Sequence, residues 1–140
     1  MKKIFIVFIQ VFGTIVLQAQ NQPIQDSVLI AITDDSIYTK VDVEADFPGL
    51  QRAWIRYLTN NLVYPPHAIE QRVEGTVIVE FVVEKDGRLT NMHVISGPEL
   101  LREEALRIYR KSGKWTVAIK DGRKVRSYKR MPLTLRLSGG

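Results

Sequence analysis

Apolar and polar side chains alternate most cleanly between residues 76 and 84. Val77, Val79, Phe81 and Val83 fall on one side, and Thr76, Ile78, Glu80, Val82 and Glu84 on the other, which is the two-residue period of a half-buried strand. Glu84-Lys85-Asp86-Gly87 has the chemistry of a tight turn, with Gly87 suited to positive φ. Residues 88–95 return with Thr90, Met92 and Val94 on one side, so the pattern predicts a β-hairpin.

A longer period marks two further stretches. From Leu50 to Leu62 the apolar residues Leu50, Ala53, Trp54, Tyr57, Leu58 and Leu62 recur every three or four positions, which builds one apolar helix face. Asn60-Asn61 ends it, and Tyr64-Pro65-Pro66 breaks the pattern because proline disfavours the α region in the residue before it. A short helical turn over residues 66–71 follows. Ser96-Gly97-Pro98-Glu99 has capping-box spacing, which predicts a second helix running to about Lys111. Its stripe is Leu101, Ala105, Ile108 and Tyr109, and Ser112-Gly113 ends it.

Residues 115–119 read as a strand, Asp121-Gly122 as a turn, and residues 125–137 as a long final strand. Pro132 has no N–H to donate, which places that last strand at an edge. The expected fold class is α+β, a small antiparallel sheet made of the hairpin and a long C-terminal edge strand, packed against two helices.

The N-terminus has a different pattern. Lys2 and Lys3 precede an apolar run from Ile4 to Leu17, closed by Gln18-Ala19-Gln20, as in a secretory signal peptide. The run is shorter than the ~20 residues of a spanning helix. Residues 1–19 are therefore expected to be a signal peptide cleaved after Ala19, with an uncleaved anchor as the alternative. The expected location is periplasmic, with membrane attachment only if the signal is retained. Residues 20–49 read as a poorly ordered leader, in which residues 28–32 could add a short strand and Phe47-Pro48-Gly49 marks a turn. Residues 50–140 form the domain.

Composition narrows the function. A chain of 140 residues has room for one core. The absence of cysteine removes disulfides, thiolate chemistry and cysteine-based metal sites. The net charge of +5 is unevenly spread. Asp26, Asp34, Asp35, Asp42, Glu44 and Asp46 make the leader acidic, whereas Lys and Arg dominate after Leu101, so the leader could fold back on the C-terminal part. An exported protein meets no chromosomal DNA, and no nucleic acid is expected among its partners.

No catalytic, cofactor or metal site is expected. His67 and His93 are the only histidines, and neither has a Cys or His neighbour at ligand spacing. Glu103 and Glu104 are adjacent on a helix and diverge, with Glu103 spaced to pair with Arg107. Nucleophile-elbow and phosphate-loop motifs are absent. Trp54 and Trp115 read as core anchors, with a groove-lining Trp115 as the alternative.

The succession of Phe47-Pro48-Gly49, Tyr64-Pro65, then Gly75, Val77, Val79, Phe81, Val83 and Asp86-Gly87 resembles the TonB C-terminal domain family. The similarity continues through Glu104-Ala105, Lys114-Trp115, Gly122, Val125 and Pro132, and spans about residues 41–137. Residues 113–118 depart from the Pro-Lys-Trp-x-Pro-Gly often found there, and the long proline-rich spacer of energy transducers is missing. The resemblance implies a non-enzymatic periplasmic domain related to TonB-dependent transmembrane transport, which captures an extended peptide of an outer-membrane receptor, or another envelope protein, by strand addition. The matching edge makes Val125, Arg126, Ser127, Tyr128, Lys129, Arg130 and Arg136 the expected partner-binding residues. The alternative is a stand-alone envelope interaction or structural protein, pairing as a homodimer through the same edge without energy transduction. A hydrolase ranks far below, because no nucleophile and base can be paired.

Overall fold

A computed structural model describes residues 34–139. The expected signal peptide, the leader up to residue 33 and the short strand over residues 28–32 lie outside the described residues. From Ser36 onward the chain forms one compact unit. Its elements are β1 (Ile37–Tyr38), α1 (Leu50–Asn61), α2 (Pro66–Glu70), β2 (Gly75–Val83), β3 (Leu89–Ser96), α3 (Glu99–Lys111), β4 (Ala118–Lys120) and β5 (Arg123–Leu135). This is the α+β class expected, with the short turn after Tyr64-Pro65 forming a third helix.

The alternation in β2 is the basis of the core. Val77, Val79, Phe81 and Val83 are fully buried on the face that receives the helices. Leu133 and Leu135 join them from β5, and Leu101, Ala105, Ile108 and Tyr109 meet them from α3. At one end six aromatic rings close together. Trp54 stacks on Tyr109 at 5.3 Å, Phe81 meets Trp115 edge-on at 5.1 Å, and Phe47 and Tyr57 each lie against Trp54. Such pairs add about 0.5–1.5 kcal/mol each beyond the area they bury.

In the sheet the order is β1-β5-β2-β3, with β4 hairpinned onto β5. β2 and β5 are antiparallel from Gly75 opposite Leu135 to Val83 opposite Ser127. The β4–β5 turn is Asp121-Gly122, both at positive φ (51° and 73°), as a twist-compatible two-residue hairpin requires. β1 runs parallel to β5 and places Ile37 beside Arg126 and Tyr38 beside Ser127. The final strand is therefore not an edge along its whole length, since β1 covers its beginning.

Residues 36–49 also depart from the leader expectation. They cross β4, where Val43 N–H donates to Ile119 O at 3.0 Å and Ile119 N–H donates back at 2.9 Å. Thr116 and Asp46 exchange a second pair of backbone bonds. Ala45 is fully buried and Phe47 enters the aromatic group. The acidic segment does fold back on the basic part: Asp42 accepts from Asp121 N–H at 2.8 Å, and Glu44 lies 3.8 Å from Lys129 Nζ.

Two local expectations fail. Ser96 does not cap α3, whose N-cap is Pro98 without a side-chain bond. The cause is Gly97, at φ 127°, where a Cβ would stand 2.7 Å from Thr76 O and Val77 Cα. The chain is pressed against β2 there, so Ser96 remains the last residue of β3. Arg107 pairs with Glu104 at 2.7 Å rather than with Glu103. Glu104 lies on the buried side of α3, where it also accepts from Val63 N–H at 2.7 Å.

Candidate functional site

In β5 the side chains of Val125, Ser127, Leu133 and Leu135 are buried toward the helices, while Arg130, Pro132 and Thr134 are exposed on the opposite face, as is Arg136 just past the strand. Tyr128 joins the exposed set. Along an antiparallel ladder, consecutive residues alternately turn N–H and C=O toward the partner strand and away from it. Pro132 stands opposite Ile78 of β2, and a proline fits a ladder where its nitrogen faces away from the partner. The same parity directs the backbone groups of Arg126, Arg130 and Thr134 to the border away from β2. β1 docks on that border at Arg126 and Ser127. Beyond Ser127, no strand among the described residues pairs with it. This open stretch, residues 128–136, is the candidate site.

The expected partner-binding residues divide into three groups. Val125 and Ser127 are buried, so their side chains serve the core. Arg126 and Lys129 are engaged within the chain. Arg126 Nε donates to Glu84 Oε2 at 2.7 Å and Nη2 to Oε1 at 3.1 Å, and Thr90 Oγ1 adds a bond to the same carboxylate at 2.6 Å. Tyr128, Arg130 and Arg136 are exposed beside the open border.

The Arg126 hydrogen bonds, with the Thr90 hydroxyl and nearby positive charge, hold the Glu84 carboxyl below the usual carboxylate range. A lowered folded pKa contributes stability that is complete above the unfolded value, about 4.3, and is lost as pH falls through the folded one. Glu84→Gln is therefore expected to cost about 1 kcal/mol at pH 7. The gap to the parent should close below about pH 4, as read by urea unfolding across pH. A gap that stays constant down to pH 2 would show that the charge is not what ties β2 to β5.

Next to the beginning of the open border lies a cavity of about 390 Å³ lined by Thr39, Glu80, Tyr128 and Arg130. Thr39 follows β1 directly, and Glu80 stands opposite Arg130 across the ladder. Glu80 holds two basic partners, the Arg130 guanidinium and His93 Nε2 at 3.4 Å. Sequence reasoning did not single out Thr39 or Glu80 as site residues. The alternation put Glu80 on the exposed face, but Thr39, Tyr128 and Arg130 reach it from segments 40 and more residues away.

Trp115 is 3% exposed and lines no groove. Its indole N–H donates to Ser112 Oγ at 2.9 Å. Among the described residues no helix is long and apolar enough to cross a membrane, and no group of three or more His, Asp or Glu is placed to hold a metal ion.

The family model described as Gram-negative bacterial TonB protein C-terminal matches residues 60–136, more than half of the chain. The NMR solution structure of the Helicobacter pylori TonB C-terminal domain aligns with a TM-score of 0.48 at 20% identity, covering 66% of this chain and 89% of that one. No curated protein matches the sequence.

Proposed function

Because the chain belongs to the TonB C-terminal family, whose members serve TonB-dependent transport, we propose that it is a periplasmic protein-binding domain that captures an extended segment of an outer-membrane receptor. Capture is by strand addition along residues 128–136, the open stretch of β5 and the residue that follows it. The single observation that carries this reading is the unpaired border beyond Ser127. Unpaired N–H and C=O groups on a sheet border bind an extended chain through backbone bonds, while side chains tune the choice. Arg130, Pro132 and Thr134 direct backbone groups to that border, and Tyr128, Arg130 and Arg136 are exposed beside it.

The test is a titration of the exported chain with synthetic N-terminal segments of outer-membrane receptors, followed by amide shifts. Perturbation concentrated on residues 128–136 supports capture. An unperturbed border with every segment overturns it.

Thr134→Pro removes one outward N–H and, by the parity of Pro132, leaves the β2 ladder intact. It is expected to weaken binding about fivefold to tenfold, the worth of roughly one backbone hydrogen bond. Thr134→Ala, which loses only the hydroxyl contact to Thr76, is expected to stay within about twofold. Equal effects of the two variants would remove the backbone from the mechanism. A concentration-dependent dimer in sedimentation, abolished by Thr134→Pro, would assign the border to a second copy of the chain.

A further inference from the structure

We propose that the cavity beside β1 is a side-chain subsite that selects an amide residue, glutamine or asparagine, in the captured strand. This inference rests on strand capture at the open border. β1 ends at Tyr38, beside Ser127, and Thr39 leaves the ladder there. An incoming strand therefore has to start alongside residues 128–130, where the cavity opens.

The position of the cavity makes it a side-chain site. Tyr128 and Arg130 project from β5 onto the face away from the helices, Glu80 stands next to Arg130 on β2, and Thr39 closes the border side. A residue on an added strand that shares this face would have its Cβ about 4.5–5.5 Å from its direct neighbour on β5. That is within reach of the Arg130–Glu80 pair for a side chain with two or three methylenes or an amide.

The charges decide the ligand class. Glu80 and Arg130 already neutralise each other, and His93 contacts the same carboxylate. A carboxylate entering the cavity would compete with Glu80 for Arg130, and an ammonium would compete with Arg130 for Glu80. The first leaves Glu80, whose side chain is 14% exposed, with fewer donors, which is costly, whereas the second displaces Arg130, which is 67% exposed, at a smaller cost. A primary amide avoids both penalties, since its N–H₂ can donate to Glu80 while its carbonyl accepts from Arg130. The Thr39 hydroxyl and the Tyr128 ring complete a wall that suits a neutral polar group.

The experiment takes a receptor segment that binds the parent chain and places Gln, Glu, Lys or Ala at each position in turn. Expected is one position where Gln binds roughly tenfold tighter than Ala, Glu or Lys. Glu80→Gln, which strands Arg130, should move the preference at that position to Glu. Arg130→Gln, which strands Glu80, should move it to Lys. The two variants act in opposite directions, so a folding defect in one leaves the other decisive. A series that is flat at every position, or a preference that neither variant moves, overturns the subsite while capture itself stands. Failure of every segment to bind overturns both.

Discussion

Replacing Trp115 by alanine is expected to lower the unfolding free energy by about 4 kcal/mol, the middle of the range for large aromatic deletions. The indole is 3% exposed and touches four other rings. Phe81 lies at 5.1 Å, Trp54 at 5.8 Å, Phe47 at 5.9 Å and Tyr109 at 6.4 Å. No small shift of the backbone fills that space, because Trp115 N–H is itself bonded to Gly87 O at 2.9 Å and fixes the loop to the β2–β3 turn. The melting temperature should fall by roughly 20 °C in a domain of this size. Loss of less than about 1.5 kcal/mol in urea unfolding would mean that the ring cluster can collapse around the gap. Trp115→Phe keeps most of the area and should retain more than half of the lost stability, but it removes the indole donor to Ser112 Oγ, which keeps its own bond to Tyr109 O at 2.6 Å.

Glu104→Ala is expected to cost about 2–3 kcal/mol. Glu104 has an exposure of 7% and gathers three donors from two segments. Val63 N–H reaches Oε1 at 2.7 Å, and Arg107 reaches both oxygens, each at 2.7 Å. Arg107 also donates to Asn61 O at 2.6 Å, so the pair joins the end of α1 to the middle of α3. Alanine leaves a peptide N–H and a guanidinium without their acceptor. Arg107 keeps access to water, which holds the cost below that of a fully buried broken pair. Glu104→Gln preserves one acceptor and should cost about half as much. Thermal unfolding and urea midpoints both read this, and a change under about 1 kcal/mol for Glu104→Ala would show that the α1–α3 junction is held by packing alone.

Much of this architecture was readable because it follows short periods. Val77, Val79, Phe81 and Val83 announce a strand by a two-residue alternation that only one register satisfies. Leu101, Ala105, Ile108 and Tyr109 announce a helix face in the same way. Pro132 correctly pointed to an open border, since its nitrogen needs one, but nothing local said that two residues almost 90 positions upstream would cover the first part of it. The pairing of Ile37 and Tyr38 with Arg126 and Ser127 is too short to show a period.

Residues 41–47 did carry a signal, with Val41, Val43, Ala45 and Phe47 alternating against Asp42, Glu44 and Asp46. The run of acids made the segment look like solvated leader, whereas it is a chain laid across β4. Glu104 was legible in hindsight by position, three residues past Leu101 on the buried stripe. Its partners were not, because Val63 lies beyond the helix break. The cavity could not be read locally at all, since Thr39, Glu80 and Arg130 meet only through the register of β5 with its two neighbours.

The parallel contact of Ile37 and Tyr38 with β5 is the thinnest seam in the sheet, two residues against the nine-residue register that joins β2 to β5. Traction applied through the chain ahead of Ser36 reaches that seam before any other. A few rungs yield at far lower load than a long ladder, so the pull would peel residues 37–38 away and leave the remaining strands whole. What such a pull would uncover is the backbone of Arg126 and Ser127, which would lengthen the vacant margin by two residues.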